Sequence, residues 1–141
     1  MKQFYRIAFL ITVLASLLLA GCSGEAGTKL EGEEADKVME YVDPITENML
    51  AGLVANDYAT FAKDFNDEMR TSIDQAKFEA LARQLNDQIG AYQSRSIDSV
   101  TDYGKMVTAQ YKSVFTKTDK VNIVVTVTKE EPHQVTGLYF R

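Results

Sequence analysis

The chain of 141 residues contains no tryptophan, one cysteine, one histidine and two prolines. A single cysteine excludes an intramolecular disulfide and any zinc site built on several thiolates. Basic residues are the minority charge, 15 Lys and Arg against 20 Asp and Glu, for a net charge of −5. Bulk electrostatic binding of nucleic acid needs a basic face, so no nucleic-acid partner is expected. Gly-rich phosphate loops and basic patches interleaved with aromatics are missing as well. The one long apolar run, Ile7 to Ala20, is broken only by Thr12 and Ser16 and spans 14 residues. A membrane-crossing helix needs ~20. The length suits one domain rather than two.

What the N-terminus does carry is an address. Lys2 and Arg6 precede the apolar run, and small residues follow it. A positive start, a short apolar stretch and small residues form the pattern of a secretory signal peptide over residues 1–21. The segment Leu19-Ala20-Gly21-Cys22 resembles a prokaryotic lipobox. The resemblance implies cleavage between Gly21 and Cys22, and a Cys22 that carries S-diacylglycerol and an N-acyl group such as palmitate. Flanks of Gly and Ser cannot build a core around a buried thiol, which disfavours the packing role of a lone cysteine. Two or three acyl chains on one residue give durable membrane anchoring, where a single chain gives only a marginal one.

Loss of Lys2 and Arg6 leaves 13 basic against 20 acidic residues, a net charge of −7. Such a body is repelled by an anionic lipid surface. The membrane partner is therefore met through the lipid on Cys22 alone. The expected location is the cell envelope, on the extracytoplasmic face. Ser23 after the cysteine resembles the signal for outer-membrane sorting, should the host have an outer membrane. Residues 22–32 read as a lipidated, flexible tether; Ser23 to Gly32 is Gly-rich and polar, and would reach about 17 Å.

From residue 33 to 141 the pattern is that of a single α+β domain. Val38, Val42, Ile45, Met49 and Leu53 recur at helical spacing, interrupted by Asp43-Pro44, where a helix restarts or kinks. Asn56 and Asp57 cap a short helix with Tyr58, Phe61, Ala62 and Phe65 on one face, and Asn66-Asp67 reads as a turn. Asp74 caps the clearest helix, which runs to Ile89 and stops at Gly90; Phe78, Leu81, Leu85 and Ile89 form its stripe. Beyond Gly90 the period becomes 2. Strands are expected over Tyr92–Thr101, Met106–Thr116, Val121–Thr128 and Gln134–Phe140, with turns at Thr118–Lys120 and Glu130–His133. Such short turns require antiparallel neighbours. The expected fold is three to four helices on one face of a curved four-stranded antiparallel meander.

The segment Asn56-Asp57-Tyr58-x-x-Phe61-x-x-Asp64-Phe65-Asn66-x-x-Met69, then Gly90, then His133-Gln134-Val135-Thr136-Gly137-Leu138, resembles a prokaryotic domain family of unknown function. That family belongs to the nuclear-transport-factor-2-like, cystatin-like group of cone-shaped α+β folds. The resemblance covers about residues 35–141. In that family the domain stands alone in secreted proteins or precedes a serine hydrolase. This chain reaches only Arg141, so no hydrolase activity is expected of it.

No catalytic, cofactor-binding or metal-ligating residue is assigned. His133 lacks a nucleophile motif to serve and reads as a turn residue. Asp64 to Glu68 begins like a calcium loop, but Met69 and Gln75 stand where the Gly and Glu of an EF-hand are required. Glu31, Glu33, Glu34 and Asp36 suit a helix N-terminus without any ligand. The leading expectation is non-catalytic binding of a protein or a small apolar ligand. An isomerase or dehydratase would need Tyr58, Tyr103 or Tyr111 to converge with Asp98 or Asp102 in an apolar pocket. A third option is a homodimer through the sheet face bearing Thr108, Gln110, Lys112, Asn122, Val124, Thr126 and Thr128. If Phe61, Phe65, Phe78, Leu81, Tyr111 and Phe115 fill the interior, binding of a partner protein is favoured over binding of a small ligand.

Overall fold

The computed structural model describes residues 26–141. The signal peptide over 1–21, the Gly21–Cys22 cleavage site and the lipidation of Cys22 lie outside the described residues. The described residues form an α+β fold of four helices and one antiparallel sheet of five strands. The elements are β1 (Thr28–Leu30), α1 (Glu33–Ala55), α2 (Tyr58–Phe61), α3 (Asp67–Ser72), α4 (Gln75–Gln88), β2 (Tyr92–Asp102), β3 (Met106–Phe115), β4 (Thr118–Thr128) and β5 (Val135–Phe140). Strand order in the sheet follows chain order.

α1 forms because Val38, Val42, Ile45 and Met49 fall on one face and are buried there with Leu50. Glu33, Glu34 and Asp36 occupy its first turn, where negative charge opposes the positive end of the helix dipole. Pro44 neither stops nor restarts the helix, which runs unbroken from Glu33 to Ala55. Proline removes one backbone bond, freeing the carbonyl of Glu40. Both residues are exposed, so water can satisfy that carbonyl. The buried stripe on either side of Pro44 holds the two halves on one axis.

The three later helices share a device. Asp57, Asn66 and Asp74 each accept a hydrogen bond at an N-cap, from the amides of Ala59, Met69 and Lys77. Asn66-Asp67, expected as a turn, thus starts α3 instead. α2 ends at Phe61, so Phe65, expected on its face, lies in the α2–α3 link and bridges to Val135 of β5; its ring still meets those of the helices. Phe61 stands 5.1 Å from Phe65 and 4.7 Å from Phe78, centroid to centroid. Such tilted and edge contacts each add about 0.5–1.5 kcal/mol beyond burial.

The sheet is five-stranded rather than four-stranded because of β1. Thr28, Lys29 and Leu30 pair antiparallel with Asp102, Thr101 and Val100. They fall inside the stretch expected as flexible tether, which leaves only residues 23–27 between Cys22 and the sheet. A three-residue strand is too short to show a period of two. The β3–β4 turn is also displaced. It lies at Thr116 and Lys117, and β4 begins at Thr118. Lys117 explains the shift: its Nζ donates to the carbonyls of Asn86 and Asp87 at the end of α4, and its amide to that of Ile89.

One face of the sheet carries Val100, Val107, Ala109, Tyr111, Phe115, Ile123, Val125 and Val127, all buried in a single core with the helices. The other face carries Thr108, Gln110, Thr126 and Tyr139. α2 approaches α1 closely: a methyl group at Gly52 would meet the backbone of Phe61. Alanine in place of glycine inside a helix ordinarily gains about 1 kcal/mol. Here Gly52→Ala is expected to lose about 1–3 kcal/mol through overpacking. Chemical denaturation reads the sign directly: a lowered midpoint is expected, and an unchanged or raised one contradicts the close approach.

Candidate functional site

β2 is irregular, and its irregularity builds the site. Register shifts between Tyr92 and Ser94 and between Ile97 and Ser99 interrupt its pairing with β3. Simple alternation from Tyr92 puts Arg95 on the opposite face. The first shift instead sets Arg95 opposite Ser113, on the core side beneath α1. A bulge thus turns a charged side chain inward.

Arg95 then finds its partners on α1. Its Nη2 donates to Asp43 Oδ1 at 2.9 Å, and its Nη1 donates to Glu47 Oε2 and, at 3.2 Å, to Tyr92 Oη. The guanidinium carbon lies 5.3 Å from the ring centroid of Tyr111, within cation–π range. The Arg95 side chain is only 10% exposed, whereas those of Asp43 and Glu47 are 51% and 63% exposed. Burial alone would lower the pKa of this guanidinium. Hydrogen bonds to Glu47, Tyr92 and Asp43 outweigh it and carry the value above the ordinary arginine range. Arg95 Nε and Ser113 Oγ, cross-strand neighbours, are buried without a protein partner.

Tyr111 forms the inner wall and is 1% exposed. Its hydroxyl lies 3.3 Å from Thr46 Oγ1 and 3.4 Å from Asp43 Oδ1, the carboxylate necessarily accepting. Burial pushes its pKa up to about 12; the charge of Asp43 adds to this, while Thr46 and Arg95 oppose it. Met39, Asp43, Tyr92, Ser94, Arg95, Ile97 and Tyr111 together line an open cleft of about 610 Å³ between α1 and β2. Ile97 is 47% exposed at its mouth.

Of the tyrosines and carboxylates singled out for isomerase chemistry, only Tyr103 and Asp102 share a hollow, an open one bordered by Glu34, and Asp102 is engaged by Lys129. Tyr58 donates to the carbonyl of Ile73, and Tyr103 lies exposed in the turn of the β2–β3 hairpin. Asp98 pairs with Lys112 at 2.7 Å and Asp102 with Lys129 at 2.6 Å; these lysines hold both carboxylates below the usual range. His133 stacks on Tyr41 with centroids 3.8 Å apart, its Nδ1 3.1 Å from the Thr128 carbonyl. Asp64 accepts from Asn48 Nδ2. Among the described residues, no three His, Cys, Asp or Glu side chains are grouped to hold a metal ion. Phe61, Phe65, Phe78, Tyr111 and Phe115 are all buried in the interior, with Leu81 partly buried against them.

Sequence reasoning passed over Arg95, Asp43 and Glu47. Asp43 and Glu47 are four apart on α1, a spacing that aligns two carboxylates on one helix face. That spacing was the available signal, but nothing local told which strand residue it would meet.

Compared with protein families, curated proteins and solved structures, the chain has no match.

Two outcomes test the geometry. Arg95→Ala is expected to lower stability by about 1–3 kcal/mol, since partners that stay half-solvated moderate the cost of an orphaned ion pair. Arg95→Met, which keeps a stem over Tyr111, should lose less; equal losses in urea denaturation would contradict the packing role. The phenol of Tyr111 yields a pH dependence. Its unfolded value is about 10, so the folded chain retains a proton that the unfolded chain releases. The contribution is complete below pH ~10 and is lost as pH rises towards about 12. Tyr111→Phe should remove that decline from the stability–pH curve.

Proposed function

We propose that this chain is a lipoprotein, held by acylated Cys22 on the extracytoplasmic face of the cell envelope, whose domain works by binding rather than by catalysis. The observation that carries the anchor is the run Leu19-Ala20-Gly21-Cys22, placed directly after a short apolar stretch and containing the chain's one cysteine. The α+β order, helices before sheet, agrees with the cone-shaped, nuclear-transport-factor-2-like reading of the sequence.

The interior supports a macromolecular partner over an enclosed small ligand. Aromatic side chains occupy the space beneath the sheet where a cone would hold its ligand. The groups at the Arg95 cleft are committed to one another: the guanidinium to two carboxylates, the Tyr111 hydroxyl to Thr46 and Asp43. A general acid or base needs an unengaged group facing its substrate. What the cleft offers is recognition: apolar Met39 and Ile97 beside the half-exposed carboxylates of Asp43 and Glu47. Self-association through the outer sheet face is a second reading, favoured by Tyr139, which is 62% exposed there.

Expressed in a bacterial host, the chain should sediment with membranes. Its mature form should begin at Cys22 and carry the mass of diacylglycerol. Cys22→Ala should release the protein from the membrane fraction while leaving its circular dichroism unchanged. A wild-type chain that is soluble, starts at Met1 and bears a free thiol would sink the reading.

A further inference from the structure

We propose that the domain stands on the membrane through its β2–β3 hairpin, with Tyr103 and Met106 in contact with the lipid surface. This rests on the lipid anchor proposed above and replaces the expectation from charge that the membrane is met through the lipid on Cys22 alone. The first argument is reach. Thr28 is already paired in the sheet, and Gly27 lies against Thr101 and the ring of Tyr103. Five residue steps separate Gly27 from Cys22, and a fully extended chain covers about 18 Å in that length. Whatever path those residues take, the hairpin end stays within about 18 Å of the acylated residue.

The second argument is chemistry. Tyr103 is 38% exposed and Met106 is 39% exposed, with Gly104 and Lys105 exposed between them. Gly104 adopts φ 79°, which turns the chain tightly enough for the hairpin to project. An exposed tyrosine flanked by an apolar side chain and a lysine is the composition that sits at a bilayer's polar boundary.

Charge sets which lipids suit it. Lys29 and Lys129 at this end are paired with Glu31 and Asp102. Glu33, Glu34, Glu130 and Glu131 are exposed nearby. The contact is therefore apolar and aromatic in origin, and anionic headgroups weaken it. The opposite end of the domain cannot share it. Glu34 borders the same hollow as Asp102 and Tyr103, and Val54 lies twenty residues further along α1, about 30 Å away.

The absence of tryptophan makes the test direct. The lipidated full-length protein is reconstituted into phosphatidylcholine vesicles that contain brominated lipid. A single tryptophan is placed by Tyr103→Trp, by Met106→Trp as an independent second variant, or by Val54→Trp at the far end. At positions 103 and 106 a blue shift and loss of most of the emission are expected; at 54 neither is. Replacing part of the phosphatidylcholine with phosphatidylglycerol should reduce the quenching at 103. Equal emission at the two ends, with acylated Cys22 verified by mass spectrometry, overturns the hairpin contact and leaves the anchor standing. An unacylated Cys22 overturns both.

Discussion

The structure depends on one constraint: a sheet apolar on a single face has to be covered on that face. Val107, Ala109, Tyr111, Ile123, Val125 and Val127 form a patch that the strands cannot bury against one another. α1 supplies a matching stripe, and Phe61 of α2, Phe65 of the α2–α3 link and Phe78 of α4 wedge beneath it. Fully burying such side chains contributes about 1.5–3 kcal/mol each before the entropy of ordering them is counted. The small polar elements follow from this. Caps at Asp57, Asn66 and Asp74 start each helix at the point from which its buried residue, Phe61, Met69 or Phe78, reaches the core.

Filling the centre moves polar chemistry to the margin. The Arg95 network sits where α1 crosses the free part of β2, at the border between core and water. Its partners are unequal: the cation is nearly buried, and the carboxylates are half in solvent. Such an arrangement binds α1 to β2 with a directionality that aliphatic packing lacks. It also leaves carboxylate oxygens on the outside. β1 covers β2 only from Val100 to Asp102. The remaining edge is broken by two bulges, a feature that discourages indiscriminate strand addition.

How much of this was legible in the sequence varied with the range of the forces involved. α4 was readable to within a residue, because Asp74, its stripe and Gly90 are all local signals. The four long strands were readable from alternation. Four features were not, the first being β1, whose three residues show no period. Pro44 locally indicates a break, but the buried residues around it make tertiary contacts that override the lost bond. The β3–β4 turn moved by two residues because Lys117 is tied to α4, some thirty positions earlier. Arg95 was missed because a bulge inverts the face parity of a strand, and a bulge leaves no mark in a period of two.

β1 gives the domain a mechanical asymmetry. Tension drawn through residue 26 enters the body at Thr28, where three pairs of residues in a ladder connect it to β2. No core aromatic belongs to that strand, and only Leu30 leans on the interior. Under load the ladder should part first, paying out chain like a fuse while helices and remaining sheet stay assembled. A short edge strand thereby shields the hydrophobic centre from force applied at the N-terminal side.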